Sequence, residues 1–229
     1  MLTKKHKREP TNFLLGMAPF STTDTTLMPD LFTFTEGGRA EIMPLKYSGQ
    51  EVANITKLMK GTSIYGKKAT EQKFMELAPT YRIIHLASHS KVNPQSSNYS
   101  FLAFSEIKDS IENELLYVRE LYNLSLNADM VVLSACETGL GEIQRGEGII
   151  SLARAFSYAG AKSIITTLWQ VNDQKTKILM IDFYKYLRRG LPKQEALWRA
   201  KLDFMRKTSS DPYFWAGFIG IGNMMPIQK

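Results

Sequence analysis

From Pro44 onward, apolar and polar positions follow two regular periods. Ser48 can cap a helix through about Lys60, with Val52, Ile55, Leu58 and Met59 as its apolar stripe. Thr62–Tyr65 reads as a short strand, and Thr70 caps a helix to Ala78 that Pro79 stops. Arg82–Ser88 is a continuous apolar run, the pattern of a strand covered on both faces. Ser100–Phe104 predicts a further strand, Glu114–Tyr122 a short helix and Met130–Ala135 the next buried strand. Glu147–Ala159 is helical with Gly160 past its end, and Lys162–Leu168 returns to strand. Asp173–Arg189 and Lys193–Lys207 are long amphipathic helices divided by Gly190–Pro192, and Phe214–Ile221 closes as a strand. Strands alternating with helices predict right-handed crossovers and an α/β fold, a three-layer α-β-α sandwich with a mostly parallel sheet.

Residues 1–40 lack this pattern. Ser21–Thr26 and Glu36–Gly38 read as loops or short edge pieces. The chain therefore divides into an N-terminal segment, 1–40, and one domain, 41–229. With 229 residues and 44% hydrophobic content it can bury one full core. No stretch approaches the roughly 18 uninterrupted apolar residues of a membrane span. The basic Met1–Pro10 segment is not followed by an apolar signal core, and Phe13–Met17 is too short to be one. A single cysteine allows no intrachain disulfide. The expected location is the cytoplasm.

The net charge of +7 raises the question of nucleic acid. Residues 174–207 hold ten Lys or Arg against three acids, spread over two helices. Tyr184, Tyr186, Trp198 and Phe204 fit packing better than a stacking platform, and no nucleic-acid module is recognisable. The basic stretch reads as a solvated helix face, suited at most to an acidic protein partner.

The chemistry sits where two buried runs end. Ala128–Cys136 (ADMVVLSAC) breaks at once into the glycine-rich turn ETGLG, and Arg82–His89 (RIIHLASH) delivers a histidine 47 residues earlier. Ligands and reactive groups in open α/β sheets collect at such strand ends. A histidine on one strand, followed about 50 residues later by a cysteine in a small-Ala-Cys-x-x-Gly context, is similar to the caspase-type signature. Further motifs in order extend the likeness: HLASH at His85–His89, LSACETGLG at Leu133–Gly141, RGEG at Arg145–Gly148, TLWQVND at Thr167–Asp173 and PYFWAGF at Pro212–Phe218. From roughly Pro44 to the C-terminus the chain resembles the CHAT domain, a branch of the caspase–separase–gingipain clan of cysteine peptidases.

The resemblance implies a caspase-like fold, a catalytic dyad of His89 and Cys136, no cofactor, and action on specific protein or peptide substrates. It also implies control by a regulatory protein or a helical-repeat sensor. Relatives often carry such repeats ahead of this domain, and this chain reads as a stand-alone domain or as a piece of a longer protein. The family usually has glycine where this chain has Ser90. The backbone amides of Ser90 and Cys136 are the expected oxyanion donors, since developing charge needs fixed dipoles. Left-handed backbone at Ser90 would add strain. In the wider clan the segment after the nucleophile helix borders the pocket for the residue before the scissile bond. Trp169 could wall that pocket and Asp173 attract a basic side chain, or Trp169 could pack in the core and Asp173 cap a helix.

His85 lies four residues before His89, about 13 Å along one strand face, and reads as a hydrogen-bonded interior or supporting histidine. The same geometry excludes a helical His-x-x-x-His zinc motif, and no metal is expected. A tyrosine-phosphatase loop would need Arg where Glu142 stands, and the dinucleotide fingerprint fails at Gln144. The reading is a cysteine peptidase that uses neither nucleic acid nor membrane. The rival is a non-catalytic interaction module of the same fold.

Overall fold

The structure is a computed structural model that describes residues 9–21, 44–91, 93, 96–105, 115–134 and 147–227. In chain order it contains β1 (Asn12–Ala18), α1 (Ser48–Met59), β2 (Thr62–Tyr65), α2 (Glu71–Leu77), β3 (Tyr81–Leu86), β4 (Ser90–Lys91) and β5 (Phe101–Ala103). Then follow β6 (Leu115–Tyr117), α3 (Val118–Leu121), β7 (Met130–Leu133), α4 (Glu147–Ala159), β8 (Ser163–Thr167), α5 (Asp173–Arg188), α6 (Lys193–Lys207) and β9 (Phe218–Gly222). The main sheet has six strands in the order β2-β1-β3-β7-β8-β9. Its pairs are parallel except β8–β9, which is antiparallel. A small antiparallel sheet, β4-β5-β6, stands beside it.

Alternation along the central strands builds the layers. Ile84 and Leu86 of β3, with Val131 and Leu133 of β7, join Phe74, Leu121, Leu152 and Phe156 from α2, α3 and α4. Ile83, Met130 and Val132 face the other way, onto Ile55 of α1, Leu179, Met180 and Phe183 of α5, and Phe204 of α6. The period of two therefore assigns each strand residue to one of two helical layers, and each such side chain contributes about 1.5–3 kcal/mol when fully buried. This is the three-layer sandwich that the pattern predicts.

Four local expectations change. Residues 1–40 include β1, which lies inside the sheet between β2 and β3. Leu14, Leu15 and Met17 are completely buried, so this part of the poorly patterned segment is a doubly covered strand. Within Glu114–Tyr122, Leu115–Tyr117 is strand and only Val118–Leu121 is helical. Pairing with β5 buries Leu116 and sets Tyr117 against Phe101, which outweighs helical propensity. The Glu120 carboxylate then accepts the Tyr117 N–H at 2.8 Å and starts the helix there. Ser48 is the first residue of α1, and its hydroxyl donates to the Leu45 carbonyl instead of capping. The closing strand begins at Phe218 because Pro212–Phe214 forms a 3-10 turn. Thr70 does cap α2, accepting the Lys73 N–H at 3.2 Å.

Opposite the site, at the N-terminal ends of the strands, Asp129 bridges Arg82 at 2.6 Å and Lys162 at 2.8 Å. Partial burial works against its charge. The hydrogen bonds and positive charges of Lys162 and Arg82 prevail and hold its carboxyl below the ordinary value.

Candidate functional site

β3 and β7 are adjacent and parallel, with His85 beside Val132 and Leu86 beside Leu133. The Ser134 N–H continues this pairing by donating to the Leu86 carbonyl at 3.0 Å. Cys136 lies outside the described residues, as does the rest of the glycine-rich turn; His89, Ser90, Trp169 and Asp173 are described.

His89 follows β3 by three residues and is only 4% exposed. Its carbonyl accepts the Ala103 N–H at 2.9 Å, and the Ser88 hydroxyl donates to the Ala103 carbonyl, so β5 pins the exit of β3. The imidazole meets the Phe20 ring edge-on at 5.1 Å. Ser90 opposes Leu102 in the antiparallel β4–β5 pair and is buried. Because the neighbouring His89–Ala103 position carries the hydrogen bond, the Ser90 amide is directed away from β5. Among the described residues Lys60 is the one non-glycine with positive φ, so Ser90 carries no left-handed strain.

Asp173 opens α5. The helix is capped one residue earlier: the Asn172 side chain accepts the Lys175 N–H at 3.2 Å. The capping reading of Asp173 is thus corrected, for Asn172 has the non-helical backbone that a cap needs. The Asp173 carboxylate instead accepts the Tyr47 N–H at the start of α1. Burial raises its carboxyl above the ordinary value, and Glu51 adds to that. The Tyr47 amide, His89 and Lys177 pull the other way, so Asp173 and His89 lie within electrostatic reach of each other.

Trp169 is half-buried and belongs to neither core layer. Its Nε1–H donates to the Tyr213 carbonyl at 2.8 Å and its ring stacks on Tyr213. Gly217 lies under the other atoms of the indole: a Cβ there would come within 2.8 Å of the ring. The C-terminal segment therefore holds Trp169 in place.

His85 is fully buried on the α1–α5 face of the sheet. Its Nε2 lies 2.8 Å from Glu51 Oε1 and its Nδ1 3.2 Å from the Tyr184 hydroxyl. Sequence reasoning separates the two histidines but misses both partners of His85. The available signal was Glu51 itself, an acid one turn before Ile55 on the apolar stripe of α1. Among the described residues no three His, Cys, Asp or Glu side chains gather as a metal ion requires, and no helix is long and apolar enough to cross a membrane.

Comparison with known proteins agrees with this architecture. Two solved cysteine peptidase folds of the caspase-like clan superpose on nearly the whole chain. The Arg-specific cysteine proteinase gingipain R matches with a TM-score of 0.57 at 9% identity, over 95% of this chain and 47% of that one. The Saccharomyces cerevisiae separase in complex with securin matches with a TM-score of 0.54 at 10% identity, over 94% of this chain and 12% of that one. In sequence, Tetratricopeptide repeat protein 28 of Mus musculus and of Homo sapiens is 26% identical over 218 residues. The match takes in 81% of this chain and only 9% of the length of those relatives. The CHAT domain family matches residues 3–223, a span that includes β1 as well as all later strands. The chain belongs to the CHAT domain family.

Proposed function

We propose that the chain is a cysteine endopeptidase in which His89 is the general base and Cys136 the nucleophile. One observation carries the reading. The register of β3 against β7 joins residues 47 apart, His85 to Val132 and Leu86 to Leu133, and His89 and Cys136 are separated by the same 47 residues. Segments that leave adjacent parallel strands emerge at the same end of the sheet, and this supports the pairing of His89 with Cys136.

His89 takes the Cys136 proton, and the thiolate adds to the scissile carbonyl carbon. The Ser90 and Cys136 amides stabilise the resulting oxyanion. Collapse breaks the C–N bond as His89 returns its proton to the leaving amine, leaving a thioester. Water then attacks with His89 again as base, the C–S bond breaks, and the acid product departs. Trp169 and Asp173 border the pocket for the residue before the cleaved bond, and the half-buried Asp173 carboxylate favours a basic side chain there. Control by a helical-repeat partner fits the name of the relatives, of which this chain spans a small part. The competing reading is a non-catalytic interaction module; Ser90 is one of the two features that favour it, and the unstrained backbone there weakens that one alone.

Because the chain has a single cysteine, iodoacetamide reports on Cys136 alone. Labelling near neutral pH is expected to be at least about tenfold faster in the wild type than in His89→Ala, since a paired imidazole raises the thiolate fraction. Equal, slow labelling of the two proteins would remove the dyad. Ser90→Gly is expected to change turnover by less than about tenfold, equivalent to about 1.4 kcal/mol in the barrier, because the amide and not the side chain acts. A larger activation would show that Ser90 holds the site in a poor geometry.

A further inference from the structure

Three side chains that the dyad does not use meet in the core. Glu51 comes from α1, His85 from β3 and Tyr184 from α5, and they are 1%, 0% and 0% exposed. A carboxylate so deep is tolerated only with a hydrogen-bonded partner. One set of protons satisfies the trio. Burial and the Glu51 charge push the Tyr184 phenol well above its ordinary value, so Tyr184 keeps a proton that it can donate to His85 Nδ1. Nε2–H then donates to Glu51.

Gly16 makes this reach feasible. It is the β1 neighbour of His85, and a Cβ at that position would stand 2.8 Å from both Val52 Cγ1 and Thr56 Cγ2 of α1. The missing side chain lets α1 lie directly on β1, so that Glu51, next to Val52, extends across β1 to β3. One turn earlier, Tyr47 gives its N–H to Asp173. Thus α1 is tied at successive turns to the start of α5 and to β3, while Tyr184 ties α5 to β3 three turns below Asp173. His85 is the last residue but one of β3, and His89 stands three residues beyond the end of that strand, so the strand that carries His89 into the site is the one the trio holds.

We propose that Glu51, His85 and Tyr184 are positioning residues: their relay locks β3 against α1 and α5 and so fixes where the His89 imidazole stands. The proposal rests on the reading of His89 as general base. Tyr184→Phe keeps the ring and deletes one hydroxyl, Glu51→Leu deletes the acceptor, and Glu51→Gln restores an acceptor oxygen without the charge. Each variant is compared with the wild type in thermal unfolding, in peptide turnover, and in the 15N signals of the three histidine rings.

In folded Tyr184→Phe and Glu51→Leu, kcat is expected to fall about tenfold or more with KM little changed, as small misplacements of a reacting group do. Glu51→Gln is expected to recover most of that loss, and the His89 signals are expected to shift or broaden in step with kcat. The relay is overturned if Tyr184→Phe melts earlier yet keeps wild-type kcat and undisturbed His89 signals, for then it is only core structure. Failure of the dyad looks different: wild type and His89→Ala label alike and neither cleaves. The His89 signals alone then decide, disturbance in Tyr184→Phe supporting the relay and none refuting it.

Discussion

His89→Ala and Cys136→Ala are each expected to abolish peptide cleavage, by about 10⁴-fold or more, with the fold intact. Nucleophile and base act as one unit, so either loss costs nearly as much as both. The His89 imidazole borders Phe20 and His89 lies beyond the last residue of β3, so its removal is expected to leave the paired strands in place. A peptide library supplies the measurement. From the pocket role proposed for Asp173, the wild type is expected to cut after basic residues, and both variants to leave every peptide uncut with unfolding curves close to wild type. Cleavage retained in His89→Ala would end the assignment of the base.

His85→Ala is expected to weigh most on stability, with a loss of kcat that stays far short of that in His89→Ala. It strips the buried Glu51 of its donor, and breaking a buried pair from one side costs about 3–5 kcal/mol. For a domain of this size that lowers the thermal midpoint by roughly 10 °C. The loss comes from two sources, an uncompensated carboxylate in a dry environment and a cavity where the imidazole packed at 5.5 Å from the Tyr184 ring. Thermal unfolding followed by circular dichroism decides the matter. A His85→Ala protein that melts normally but cannot cleave, alongside an active His89→Ala, would mean that the two histidines have exchanged roles.

The parts that could be read from residues alone are those whose physics is local. Alternation along Ile83–Leu86 and Met130–Leu133 gives both faces of the central strands, and Thr70 caps α2 as its position before a helical run predicts. β1 was missed since seven residues, mostly apolar and interrupted by Gly16, look like many short loops until two flanking strands supply their partners. Leu115–Tyr117 likewise takes its form from β5 and not from its own propensity. At the site, spacing separates His89 from His85, but Glu51 and Tyr184 are 34 and 99 residues away from His85 in sequence, and nothing local links them. For Asp173 the ambiguity was a single residue: Asn172 takes the cap and leaves the carboxylate to bind the Tyr47 amide.

The place of β1 within the sheet also bears on how the chain folds. β1 is made before both of its neighbours, and its register partners in β2 and β3 lie almost 50 and almost 70 residues further on. No hairpin can form early around it, because both pairings are parallel and must await distant segments. Each such closure fixes a long loop before any contact rewards it, which places parallel sheets among the slower topologies to assemble. Until β2 and then β3 arrive, Leu14, Leu15 and Met17 belong to an apolar strand with at least one unpaired edge, the kind of segment that joins other chains when it waits too long. During synthesis, then, the interval before β3 emerges is when this protein most needs to be kept apart from copies of itself.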